Sequence, residues 1–278
     1  MLPALTTRGN RIVRRDTGEP VLLRGVNRSG FEYADDPGIT AEEIATIVTG
    51  WKANIIRLPF NQQRVFDLGE AYLRRIDQTI AWAAELGAYT LLDLQWLVNE
   101  IAPLPDQHSP RLWRMLANRY YDNPAVLYDL YNEPHDVSAA QWNASATLLT
   151  DTIRAVHIHA LIFVSGLDWG YDLGGVHVDA PGIVYSTHVY PDKHAPWKKA
   201  FGRIAKDKPV FAGEWGGWDQ HLAWGSKLAR YFDRLGMGWT AWSWTDKPHL
   251  QHEGIATPFG AIVQRALAEC HFSMPTES

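Results

Sequence analysis

An alternation that runs the length of the 278-residue chain constrains its fold more than any other feature. Eight short apolar runs recur at Leu22–Asn27, Asn54–Pro59, Tyr89–Leu94, Val126–Asn132, Leu161–Ser165, Ile183–Tyr190, Pro209–Glu214 and Gly238–Trp244. Several are continuously apolar, the pattern of parallel strands covered on both faces. The segments between them carry helix signals. Thr40 and Glu43 have capping-box spacing. Glu70–Leu86 sets Leu73, Ile76, Ile80, Ala83 and Ala84 at helical spacing and stops at Gly87. Ser109-Pro110 opens another helix, and Ser138–His157, Pro196–Lys206, Asp219–Leu235 and Pro258–Glu269 continue the series. Gly166–Gly182 reads mostly as loop. Eight strands alternating with seven helices predict an α/β chain folded as a (β/α)8 TIM barrel, a single domain over residues 1–278. Ahead of it, Thr7–Val21 carries "DTGEP" between two short apolar runs and predicts a hairpin closing the barrel bottom.

The totals exclude several classes. Hydrophobic residues at 46% and charged residues at 21% supply a packed core. The net charge is −5 and no Lys/Arg run exceeds a pair, which argues against a nucleic-acid partner. No stretch approaches the ~18 apolar residues of a membrane span. The opening "MLPALTTRGNRIVRRDTG" has no apolar signal-peptide run, leaving a cytoplasmic chain or one whose leader is gone. A single cysteine, Cys270, excludes an intrachain disulfide and a cysteine-based metal site.

A barrel of this kind puts its chemistry at the C-terminal ends of the strands. Those ends carry Asn27, with Glu32 and Tyr33 just beyond; Arg57; Asp93, Gln95 and Trp96; Asn132 and Glu133; Trp169; His188 and Tyr190; Glu214; and Trp242, with Lys247 beyond it. Glu133 and Glu214 face one cavity from the fourth and seventh strands. A pair of carboxyl groups is what glycoside hydrolysis needs: one protonates the leaving oxygen, the other attacks the anomeric carbon or activates water. Arg57 and Tyr190 suit an ionised glutamate; an apolar surround with His188 suits a protonated one. Among the 13 tryptophans, Trp96, Trp169, Trp215, Trp242 and Trp244 fall near strand ends, where flat faces with polar edges match sugar rings. Taken singly, Arg57 reads as an ion-pair partner, Asp93 as a buried hydrogen-bonding group, and Trp215 and Trp244 as packing. Two histidine groups invite a metal. His249, His252 and Glu253 fit no reliable ligand spacing, and His157 with His159 falls at the wrong end of the barrel. No metal and no cofactor are expected.

The motifs "YNEPH" and "GEWGG", with "HVY", "WSWTDK" and Arg57 in this order, resemble the cellulase-type glycoside hydrolases of family 5 from "LLRGVN" to "AWSWTDK". The resemblance implies Glu133 as general acid/base and Glu214 as nucleophile. It implies Asn132 on the sugar 2-OH, His188 near the acid/base, Tyr190 near the nucleophile and Arg57 supporting the nucleophile. Trp242 matches the stacking platform, Lys247 and Tyr33 the glycone side, and Trp169 the leaving-group side. Asn27, Gln95 and Trp96 complete the expected substrate contacts. One departure is Gln95, where the family usually has a histidine; His108 in the following loop is a candidate to fill the gap. The implied activity is retaining, endo-acting cleavage of β-1,4-glucan. β-Mannan is the alternative substrate, and a non-catalytic sugar-binding barrel is a more distant one. The expected partner is a polysaccharide or oligosaccharide, the expected state a monomer, and the expected location outside the cytoplasm, secreted or periplasmic.

Overall fold

A computed structural model describes residues 2–36, 38–99 and 102–269; Cys270 lies outside them. Eight parallel strands close into a barrel: Arg24–Asn27, Ile55–Asn61, Tyr89–Trp96, Val126–Asp129, Ile162–Ser165, Ile183–Val189, Val210–Trp215 and Gly238–Ala241. The eighth pairs with the first through Trp239 opposite Arg24 and Ala241 opposite Val26. Every residue of these strands but Trp96 is buried, so neither face needs polar alternation and the continuous apolar runs follow.

The hairpin is present, with a corrected turn. Leu5–Arg8 pairs with Arg11–Arg14 around Gly9-Asn10, while "DTGEP" makes the next reversal, where Val13 bridges to Pro20. Leu5 and Ile12 pack with Leu23, Ile55, Tyr89, Leu127, Leu161, Val184 and Phe211, residues at or near the strand entries. The hairpin therefore plugs the bottom of the barrel with apolar surface. The larger core cluster includes helix residues such as Leu73, Ile76, Trp113, Trp142 and Phe232.

Helices Glu70–Glu85, Ser109–Tyr120, Ala139–Arg154, Leu222–Leu235 and Pro258–Glu269 follow the predicted order. Thr40 accepts from the Glu43 N–H at 3.2 Å, but the Glu43 carboxylate turns to Arg28 at 2.7 Å, so only half of that capping box forms. Ser138 and Gln141 form a complete one. We expect Ser138→Ala to cost about 1 kcal/mol in urea unfolding without changing turnover. The predicted helix over Pro196–Lys206 is instead a π turn at Lys198–Gly202 followed by a 3-10 turn at Ile204–Lys206. A helix at Gln62–Leu68, capped by Asn61, was not legible because seven residues are too few to declare a period. Among the described residues no helix is long and apolar enough to cross a membrane.

Candidate active site

Glu133 follows the fourth barrel strand and Glu214 lies on the seventh, with two strands between them in the closed order, yet they converge with His188: one ligand-type atom from each lies within 4.8 Å of the other two. The seventh strand delivers Glu214 directly. Glu133 lies four residues past the end of the fourth strand. The sixth strand shifts register between Thr187 and His188, which pairs His188 with Glu214. Bulges of this kind re-aim side chains beside active sites. Gly213 makes room for the shift, since a Cβ there would stand 2.4 Å from Ser186 Oγ and 3.0 Å from His188 Nε2.

The two carboxyl groups have different surroundings. Arg57 Nη1 donates to Glu214 Oε1 at 2.8 Å and the Tyr190 hydroxyl donates to Oε2 at 2.7 Å. Burial pushes the Glu214 carboxyl above its ordinary value, opposed by His188, Arg57 and the Tyr190 bond. Glu133 has no such pair of donors. Its Oε1 meets His188 Nδ1 at 2.9 Å, and burial lifts it to about 7, opposed chiefly by the nearby Lys193 and Arg57. His188 is fully buried, and burial lowers it to about 3, so its imidazole is neutral. It holds Glu133 by a hydrogen bond rather than by opposite charge. The upward shift of Glu133 therefore comes from desolvation, with His188 orienting the carboxyl.

Arg57 is the hub beneath both. It is fully buried and pairs with Asp93 at 2.9 Å, Asp129 at 2.9 Å and Glu214 at 2.8 Å. It also donates to Asn27 Oδ1 and Asn132 Oδ1, each at 2.9 Å. Arg57 is thus an ion-pair partner, and one of the three carboxyl groups it holds is that of Glu214. Asp93 is likewise an ion-paired group of the interior. Asn132 has its Oδ1 engaged, but its buried Nδ2 finds no partner among the described residues. Buried donors are normally paired, so this N–H group is available to a bound hydroxyl.

Asn27 corrects an expectation. It is fully buried, and its amide is committed inward to Arg57, the Gly213 carbonyl at 3.0 Å and the Thr240 carbonyl at 3.2 Å. It braces Arg57 and leaves no group for substrate. His108 is a second correction: it is exposed at the start of a helix, with its ring against Gln107. Gln95 is 6% exposed, with Oε1 unpartnered among the described residues. Tyr33 meets Trp96 edge to face at 5.0 Å and donates its hydroxyl to Asp246 at 2.6 Å. Trp242 is 8% exposed, with its Nε1 on the Lys247 carbonyl at 3.0 Å; the Lys247 side chain is exposed. Trp169 stands 40% exposed. Trp215 is fully buried against Phe232, Trp239 and Phe259, and Trp244 packs on Trp51; both are core. His157 is engaged with the Tyr128 hydroxyl at 3.1 Å.

Sequence reasoning assigned no role to four residues that shape this site. Asp129 pairs with Arg57, and Asp246 anchors Tyr33. Lys193 Nζ reaches the Asp168 carbonyl at 2.7 Å. His135 stacks on Trp169. Asp129 and His135 lie within the "LYDLYNEPH" stretch, where an acidic residue in a fully apolar run was the available signal for Asp129. Asp246 sits in a loop within the "WSWTDK" motif, while Lys193 sits in a loop and gave no signal.

Residues 15–248 match the family model described as Cellulase (glycosyl hydrolase family 5). Endoglucanase N of Pectobacterium atrosepticum is 24% identical over 253 residues, covering 84% of this chain and 55% of that protein. An endoglucanase of Paenibacillus polymyxa is 26% identical over 316 residues, covering 85% and 78%. The chain spans about half the length of the Pectobacterium relatives it matches. The crystal structure of a β-glucanase from Saccharophagus degradans in complex with cellotetraose superposes with a TM-score of 0.86 at 25% identity, covering 97% of this chain and 94% of that one.

Proposed function

The chain belongs to the cellulase family, glycosyl hydrolase family 5, and from that premise we propose that it is a retaining endo-β-1,4-glucanase. The observation that carries the reading is the approach of Glu133 and Glu214, with carboxyl oxygens within 4.8 Å of each other. Retaining glycosidases set their carboxyl groups ~5–5.5 Å apart, whereas inverting ones leave ~6.5–9.5 Å for a water.

Glu214, ionised and held by Arg57 and Tyr190, attacks the anomeric carbon. The bond to the leaving oxygen breaks as Glu133 gives that oxygen its proton. A glycosyl ester on Glu214 results. Glu133, now a carboxylate, takes a proton from water as the water attacks the same carbon, and the ester bond breaks. Asn132 Nδ2 donates to the sugar 2-OH. Trp242 is the platform at the cleavage site and Trp169 the platform on the leaving-group side. Tyr33 and Lys247 serve the glycone side, with Trp96 and Gln95 as further substrate contacts. The substrate is cellulose or mixed-linkage glucan, consistent with the cellotetraose held by the Saccharophagus relative. We place the activity outside the cytoplasm, where such polymers are met, in a chain acting as a monomer.

Reducing-sugar release from carboxymethyl-cellulose, barley β-glucan and β-mannan tests the substrate. Turnover on the two glucans is expected; turnover on mannan alone would overturn it while leaving the mechanism standing. The pH profile tests the roles. Activity needs Glu133 protonated and Glu214 ionised. It should therefore fall as pH rises through about 7, the value to which burial lifts Glu133, and fall again in acid as Glu214 gains a proton. In Glu133→Gln, assayed on an aryl glycoside with a good leaving group, the alkaline fall should disappear. A fall that persists would assign it to another group.

A further inference from the structure

The stretch that supplies Glu133 ends in His135, which has no task in the reaction just described. His135 is 5% exposed. Its Nδ1 donates to the Glu133 carbonyl at 2.8 Å. Its ring lies flat on the Trp169 indole, centroids 3.6 Å apart and planes 6° from parallel. Trp169 belongs to a turn held from three sides. Its N–H donates to the Pro134 carbonyl at 3.2 Å. Lys193 Nζ holds the Asp168 carbonyl at 2.7 Å. Gly170 packs on His188 so closely that a Cβ there would stand 2.6 Å from the ring Cγ. Asp168 and Trp169 both adopt left-handed φ, 53° and 58°. Such residues cost of order 1 kcal/mol each and persist where the surroundings over-determine them. Here those surroundings include the segment that carries Glu133.

The turn thus meets Glu133 at both ends. His135 joins it to the backbone carbonyl, and His188, under Gly170, joins it to the carboxyl. We propose that His135 is a positioning residue that ties the Trp169 platform to Glu133, so that a sugar seated on Trp169 finds the acid proton aligned with its departing oxygen. This rests on the reading of Glu133 as acid and Trp169 as the leaving-group platform. The parallel stack fixes the tilt of the indole, and the N–H bond to the Glu133 carbonyl fixes the tilt of the imidazole. A misplacement of about 1 Å at a reacting group costs about 10²-fold, so a tether of this kind has a measurable effect. It serves a single proton transfer: the Glu133 O–H bond breaks as the glycosidic oxygen takes the proton and its bond to the anomeric carbon cleaves.

Two substrates separate positioning of the proton from general damage. Cellotetraose has a sugar leaving group that needs the proton. 2,4-Dinitrophenyl β-cellobioside has a leaving phenolate that does not. For His135→Ala, kcat/KM should fall about 10- to 100-fold on cellotetraose and several-fold less on the aryl glycoside. His135→Phe keeps a flat ring on Trp169 and drops the N–H. It should restore KM for cellotetraose towards wild type while kcat stays low, and it carries the test if His135→Ala does not fold. Equal losses on both substrates, or no loss on either, would overturn the proposal while the glucanase reading stands. Wild-type protein that turns over neither substrate would overturn that reading, and the proposal would fall with it.

Discussion

Glu214→Gln should lower kcat/KM on β-glucan by at least about 10⁴-fold while leaving a folded barrel. An amide at this position cannot form the glycosyl ester, and removal of a nucleophile is among the costliest single changes in covalent catalysis. The fold should survive because Gln has the shape of Glu and because Arg57 keeps two other buried carboxyl partners, Asp93 and Asp129. Near-ultraviolet circular dichroism and the urea midpoint report the fold; reducing-sugar release reports the loss. A companion variant, Glu214→Ala, opens space beside the anomeric carbon. With added azide and 2,4-dinitrophenyl β-cellobioside it should yield the α-glycosyl azide: azide attacks from the vacated side, phenolate leaves, and configuration inverts once. A β-azide from this variant, or residual hydrolysis within about tenfold of wild type, would place the nucleophile elsewhere.

The second large effect lies in Arg57. Arg57→Met should cost about 3–5 kcal/mol of stability, because removing one partner of a buried ion network leaves uncompensated charge in the interior. Here three carboxylates would lose their common cation: Asp93 and Asp129, both fully buried, and Glu214. Burial already pushes Asp93 well above the ordinary value and raises Asp129 too, with Arg57 opposing both shifts. Without Arg57 these groups must take up protons to remain inside. The variant's stability should therefore drop more steeply than that of wild type as pH rises, since each proton the folded state holds must then be lost against burial. Arg57→Lys should recover only part of the loss. An ammonium is a point charge and cannot present the planar fork that reaches five side chains. Urea unfolding across pH 5 to 8 measures both effects. A loss below about 1 kcal/mol for Arg57→Met would mean that the three acids are held by something other than their shared cation.

Much of the fold was legible because strand and helix periods are local. Continuous apolar runs such as Val210–Trp215 and the spacing along Glu70–Glu85 state their environment within a few residues. Where the local signal is short, the reading failed. The seven-residue helix at Gln62–Leu68 went unseen, and the helix expected at Pro196–Lys206 broke into two turns. The hairpin was foreseen, but its tight turn fell at Gly9-Asn10, and the more turn-like "DTGEP" formed the next reversal. The strand-end rule drew attention to Glu133 and Glu214, and the structure brings them together with His188.

The sequence by itself determined the alternation that closes as a barrel, and with it which residues stand at the chemical end. Strand and helix periods are written in neighbours two to four positions apart. Only the tertiary structure decided what those residues meet. The partners of Arg57 come from sequence positions 30 to 157 residues away, so no local period encodes them. Barrel closure turned Asn27 inward as a brace. It set the burial that lifts Glu133 to about 7 and lowers His188 to about 3. It also laid His135 flat on Trp169, thirty-four positions along the chain. Each depends on which side chains fill one enclosed space together, and that is settled when the strands close on one another.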